Sequence, residues 1–128
     1  MILDTSFVVA AEREAKRGQA GRADEFLSSH LEEGFFITFT VAGELACGDT
    51  ASVYEDWHRL CRPFPILEWK REVSWCYGIA FRQLRARGSL IGANDLWIAA
   101  TALAYEMPVV TTNTADFGRV EGLTVVEF

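Results

Sequence analysis

The sequence is poor in the features that hold many small folds together by covalent or metal chemistry. Its three cysteines, Cys47, Cys61 and Cys76, are an odd set without a CxxC pair, which excludes a disulfide framework and a cysteine-based zinc site. That usage fits a reducing compartment, and a cytoplasmic location is expected. With only three prolines and no low-complexity stretch, nothing marks a linker, and 128 residues are expected to form a single domain, 1–128. No apolar run reaches the roughly 18 residues needed to cross a bilayer, so no membrane partner is expected. The opening "MILDTS" has too short an apolar run, and no basic leader, for a signal peptide. Positive charge is also scarce: 12 Lys and Arg face 18 Asp and Glu, a net charge of −6. That balance speaks against a generic electrostatic binder of nucleic acid or anionic lipid.

Apolar material is plentiful. Half the residues are hydrophobic, with nine Phe, four Trp and three Tyr, which excludes a disordered chain. Short apolar runs read as strands at Met1 to Leu3, Phe35 to Thr38, Phe64 to Leu67, "PVVTT" from Pro108 and "LTVVEF" at the end. Between them, helices are predicted over Thr5 to Glu14 and Arg22 to Glu32 (with Gly34 as stop), and from Thr38 or Thr40 to Cys47. Further helices are predicted over Asp49 or Thr50 to Leu60, Lys70 to Arg87, Asn94 to Tyr105, and Thr114 to Gly118. Strands separated by helices of this length require crossover connections, hence an α/β fold with a parallel sheet covered on both faces. In such sheets ligands bind at the carboxyl edge of the strands.

Four acids fall at that edge. Asp4 ends the first strand, Glu44 lies in the helix after the second, Asp95 opens the helix leading into the fourth, and Asp116 follows the fourth in "TTNTADF". Each has an ordinary explanation: Asp4 as a strand terminator or cap, Asp95 as complement to a helix N-terminus, Asp116 as part of a surface turn. Glu44, among the small apolar residues of "VAGELACG", is harder to explain as a solvated side chain. Clustered, the four would be costly without a cation, since one pair of like charges at ~4 Å repels by about 4 kcal/mol at an effective dielectric near 20. Oxygen ligands without His or Cys select Mg²⁺ or Mn²⁺, and metal-assisted phosphodiester hydrolysis is the chemistry such a site suits.

The segments "ILDTS", "TVAGELACG" around Glu44, "NDLWIAATALA" from Asn94, and "VVTTNTADF" followed by "VEGLTVVEF" resemble the PIN-domain ribonucleases, especially the VapC-type toxins of toxin–antitoxin pairs. The resemblance implies a three-layer, Rossmann-like α/β domain with a central five-stranded parallel sheet flanked by helices. It implies that Asp4, Glu44, Asp95 and Asp116 form the catalytic, Mg²⁺-binding site, with Mn²⁺ as a substitute, and that Thr112 and Asn113 line it. It also implies endonucleolytic cutting of RNA, a homodimer or toxin–antitoxin hetero-oligomer, and a cognate antitoxin covering the active site.

Among the basic residues, Arg82 and Arg85 share a helix face, and Arg85 and Arg87 closely precede Asp95, making those two the first candidates for RNA contact. A plain solvated helix face is the competing explanation. Trp57, Trp69, Trp75 and Trp97 exceed what a small core easily hides, so some are available for an interface and at least half are expected to be packed. His30 and His58 have no ligand-spaced partner and read as surface or packed residues. Rival readings are a phosphotransferase with Asp4 as nucleophile, a flap-type DNA nuclease, a PIN-fold nuclease of RNA processing, and a non-catalytic binding module. The first is weakened because Ser6 stands where haloacid-dehalogenase-type enzymes place a second Asp. The second lacks room for DNA-clamping elements.

Overall fold

A computed structural model of the chain describes all 128 residues. Five strands alternate with seven α-helices: β1 (Ile2–Leu3), α1 (Thr5–Arg17), α2 (Arg22–Ser29), β2 (Ile37–Thr38), α3 (Phe39–Ala46), α4 (Tyr54–Cys61), β3 (Ile66–Leu67), α5 (Arg71–Ala86), α6 (Ala93–Tyr105), β4 (Val109–Val110), α7 (Thr114–Phe117) and β5 (Val125–Val126). All strand pairs are parallel, as the crossover argument requires. The ladder is not one continuous five-stranded sheet. β1, β4 and β5 form a sheet ordered β1-β4-β5, while β2 and β3 form a separate pair. A single bridge, Ile2 with Phe36, joins the two through Leu3 N to Phe36 O (2.8 Å) and Phe36 N to Met1 O (3.0 Å). The strands are short because helices begin immediately after β1 and β2: Asp4 and Thr38 turn their side chains to cap α1 and α3, Thr38 while still paired with Leu67.

Three helices differ from their predicted extents: α1 runs to Arg17 rather than Glu14, ended by Gly18 in the left-handed region (φ 63°). α2 stops at Ser29 rather than Glu32, because the Ser29 hydroxyl donates back to Glu25 O and Phe26 O and competes with continuation of the helix. The helix predicted from Asp49 is split into a single 3₁₀ turn, Asp49–Ala51, and α4, with Val53 extended between them.

The core is the strand set plus one central helix. Ile2, Leu3, Phe7, Ile37, Val109 and Val110 are fully buried. α6 buries Leu96 and every residue from Ile98 to Ala102, so it is apolar nearly all round, as expected of a helix enclosed by neighbours. α5 packs against it antiparallel, with Tyr77 stacked on Trp97 (4.1 Å) and the Tyr105 hydroxyl donating to Glu68 O. Of the tryptophans, Trp57 and Trp97 are half-buried, the former donating to Ala42 O (2.8 Å), whereas Trp69 and Trp75 are exposed. His30 stacks on Phe26 and His58 lies against Tyr54. All three cysteines are free, and no helix is long and apolar enough to cross a membrane.

The α1–α2 corner depends on a glycine. α2 has no side-chain cap of its own at Gly21; instead Glu14 of α1 accepts from Ala23 N (3.2 Å) and Asp24 N (2.9 Å). A Cβ at position 21 would lie 2.5 Å from Glu14 Oε1 and displace that carboxylate. Gly21→Ala and Glu14→Ala are each expected to cost about 1 kcal/mol in urea unfolding, the value of a helix cap, with no further loss in the double variant.

Candidate active site

The capping demands of short strands place the acids. Asp4 ends β1 and is 6% exposed; its Oδ1 accepts from Thr5 N (2.7 Å), which makes it the N-cap of α1. Its Oδ2 faces two hydroxyls, Thr111 (2.8 Å) and Ser6 (3.1 Å). The capping explanation of Asp4 is therefore real, but it occupies one oxygen and leaves the other aimed along the sheet edge. Thr38 caps α3 by accepting from Val41 N (3.1 Å), and α3 carries Glu44 to the same edge. Thr5 Oγ1 donates to Glu44 Oε2, and Asn94 Nδ2 donates to Oε1 (3.0 Å), so both oxygens of Glu44 are held.

Asp95 lies in the first turn of α6 and Asp116 in α7, and Asn113 bridges them. Its amide nitrogen is 3.2 Å from Asp95 Oδ2 and 3.2 Å from Asp116 Oδ2. Asn113 is itself fixed by its backbone N–H, which donates to the buried Thr111 hydroxyl (2.9 Å). Thr111 thus connects Asp4 to Asn113, and through it to the other two aspartates. Elements distant in sequence are gathered by neutral donors spaced between negative charges.

The donors do not neutralise the charge. Burial, then the neighbouring carboxylates of Asp4, Glu44 and Asp116, push the Asp95 carboxyl up to about 6, against a smaller opposing effect of the Asn113 hydrogen bond. Arg119 lies 3.4 Å from Asp116 Oδ1 in a half-exposed ion pair. No three His, Cys, Asp or Glu side chains converge tightly enough to ligate one ion together. The donor set nonetheless suits Mg²⁺, which keeps several waters and takes one or two carboxylates with the remainder from substrate phosphate.

The other expected site residues fall differently. Asn113 stands between two acids, but Thr112 is exposed and meets the site only through its backbone N–H, 3.5 Å from Ser6 Oγ. Arg87 pairs with Glu121 (2.7 Å) and Arg85 lies over the Phe81 ring; neither touches a site carboxylate. The guanidinium that does is Arg119, whose i,i+3 spacing from Asp116 is visible in the sequence. Thr5, Ser6, Asn94 and Thr111 also contribute contacts that spacing alone does not single out.

The PIN domain family model matches residues 1–123. Ribonuclease VapC of Rickettsia bellii is 30% identical over 134 residues, covering 98% of this chain and 94% of that protein. The structure of VapBC2 from Rickettsia felis, bound to a DNA fragment from their promoter, superposes with a TM-score of 0.82 at 20% identity, covering 99% of this chain and 97% of the other. VapBC-1 from nontypeable Haemophilus influenzae superposes with a TM-score of 0.80 at 23% identity, covering 98% and 96%.

Proposed function

The chain belongs to the PIN-domain family, among the VapC ribonucleases, and on that premise we propose that it is the endoribonuclease toxin of a toxin–antitoxin pair, hydrolysing RNA phosphodiester bonds with Mg²⁺ at Asp4, Glu44, Asp95 and Asp116. The observation that carries this reading is the gathering of four carboxylates at one sheet edge through Thr5, Asn94, Thr111 and Asn113, where burial and then the other three acids push the Asp95 carboxyl up to about 6. A pocket that stores repulsion between fixed acids is built for a divalent cation.

Asp4 and Asp95 would hold Mg²⁺, with Glu44 and Asp116 completing the set or orienting water. When bound, the ion supplies Lewis-acid polarisation of the phosphate and a more acidic water. The protein's own part is preorganisation. Thr5 N, Ser6 and Thr111 fix Asp4, Thr5 and Asn94 fix Glu44, and the Asn113 amide holds Asp95 and Asp116 at a set separation. Arg119 at the rim offers a cation to the incoming phosphodiester. VapBC assemblies among the structural neighbours support a cognate antitoxin as partner, in a hetero-oligomer. The test is cleavage of RNA by the purified protein: products formed in Mg²⁺, lost in EDTA and restored by Mg²⁺ or Mn²⁺ support the reading, and cutting that persists in EDTA contradicts it.

Proton and metal should compete at Asp95. Its pKa is about 6 in the folded chain against the ordinary 3.8, so the native state binds the extra proton between those values. The metal-free protein therefore loses stability from this group as pH rises from about 4 through 6, and Mg²⁺ restores it by replacing the proton. The rise in Tm on adding Mg²⁺ is expected to be larger at pH 7.5 than at pH 5, measured by differential scanning fluorimetry. An equal rise at both pH values would remove Asp95 from the metal site.

A further inference from the structure

In a chain of net charge −6, positive charge collects on one helix. From Lys70 to Arg87 there are five basic residues and one acid, Glu72. Within α5, Arg71, Trp75, Gly78, Arg82 and Arg85 recur at spacings of four, three, four and three, which places them on one stripe. Val73, Ala80 and Leu84, which are buried, lie on the opposite face. The three arginines and Trp75 are exposed, Trp75 to 66%, and none of those arginines is in an ion pair.

The stripe has a definite local arrangement. The Arg82 guanidinium lies 5.8 Å from the centre of the Trp75 ring. Gly78, between them, leaves a bare floor; a Cβ there would meet Arg82 Nη1 at 3.3 Å. A mid-helix glycine is less favourable than alanine, and here the space it leaves is filled by the arginine. Trp69, 58% exposed, donates to Ser74 Oγ (3.1 Å), so a second indole borders the N-terminal end of the stripe. From Arg71 to Arg85 the stripe is about 21 Å long at the rise of an α-helix. Its C-terminal end leads through the connection to α6, whose first turn carries Asp95.

We propose that this stripe is an auxiliary RNA track: Arg71, Arg82 and Arg85 take phosphates, and Trp75, with Trp69 beside it, stacks a base of a single-stranded segment flanking the bond to be cut. The proposal rests on the reading of the acidic site as a ribonuclease centre. Alternating cations and exposed indoles are the combination that holds single strands with little regard to sequence. A second copy fits poorly, because a two-fold contact would set one unpaired basic stripe against its twin. The track also gives an acidic enzyme a route to a polyanion.

The test is anisotropy of a labelled single-stranded RNA of mixed sequence, titrated with protein in EDTA over a range of salt. Trp75→Ala is expected to weaken binding about tenfold, with Trp75→Phe retaining most of the affinity. The Arg71→Ala, Arg82→Ala double variant is expected to lower the slope of log affinity against log salt by about 1.4, two single-strand phosphate contacts. Arg13→Ala, an exposed change on α1, should leave both unchanged. Wild-type affinity and slope in the stripe variants would overturn the track, as would loss of self-association in sedimentation with RNA affinity intact. Mg²⁺-dependent cleavage by the wild type, run in parallel, separates the two levels. Cutting with normal binding by the variants removes the track alone, and absence of cutting removes the reading beneath it.

Discussion

Asp95→Asn is expected to raise the Tm of the metal-free protein while reducing RNA cleavage by more than about a hundredfold. The two effects have one cause. Burial, and then repulsion from Asp4, Glu44 and Asp116, pushes the Asp95 carboxyl up to about 6. An asparagine removes the charge, keeps the shape, and still accepts from the Asn113 amide. Because Asp95 is only half-buried, solvent screens much of the repulsion, and a gain of about 1 kcal/mol is the appropriate scale, near 4 °C for a domain of this size. The same change removes a proposed metal ligand, whose loss should exceed the 10–100-fold typical of supporting residues around a metal. The fall in metal-free stability from about pH 4 to 6 should shrink in the variant. Scanning fluorimetry across pH checks both stability effects and RNA cleavage in Mg²⁺ checks the activity; a lower Tm in the variant would show that Asp95 is held by attraction rather than repulsion.

Asp4 should separate into a structural and a chemical role by choice of substitution. Asp4→Ala removes the N-cap of α1 and leaves the Thr111 hydroxyl, which is fully buried, without its acceptor. A lost cap costs about 1 kcal/mol and a buried unpaired hydroxyl about 1–3, so urea unfolding should report a loss of about 2–4 kcal/mol. Asp4→Asn keeps a good cap, and the two facing hydroxyls can reorient to meet its amide, so its stability should fall within about 1 kcal/mol of wild type. Both variants should be inactive in cleavage. An Asp4→Asn protein as unstable as Asp4→Ala would mean that the charge itself holds the β1–β4 edge together.

What could be read in advance follows from where the information lies. Asp95 and Asp116 were legible because local signals surround them: the Ala-rich helix that opens at Asn94, and "VVTT" running into a short helical turn. The alternation of strands and helices was legible for the same reason, and it dictates parallel pairing. The continuity of the sheet was not. Whether "FFIT" pairs with the first strand along its length or through a single bridge depends on how soon the chain turns into α3 after Thr38, which apolar content does not record. Thr111 escaped notice because its partner Asp4 is 107 residues away, and in sequence it is one more β-branched residue of a buried strand. Arg119 is legible from its place three residues beyond Asp116, whereas the chain proximity of Arg85 and Arg87 to Asp95 does not bring either to a site carboxylate. The acidic net charge, unfavourable for a nucleic-acid enzyme at the level of composition, is resolved by location: setting the four site acids aside leaves −2.

The most direct measurement of the central claim is cleavage of end-labelled RNA in Mg²⁺ by separately purified wild type, Asp4→Asn and Asp95→Asn, each shown to be folded by its unfolding curve. The account predicts discrete cut products from the wild type alone. Variants that cut as fast as wild type would place the chemistry elsewhere and contradict it.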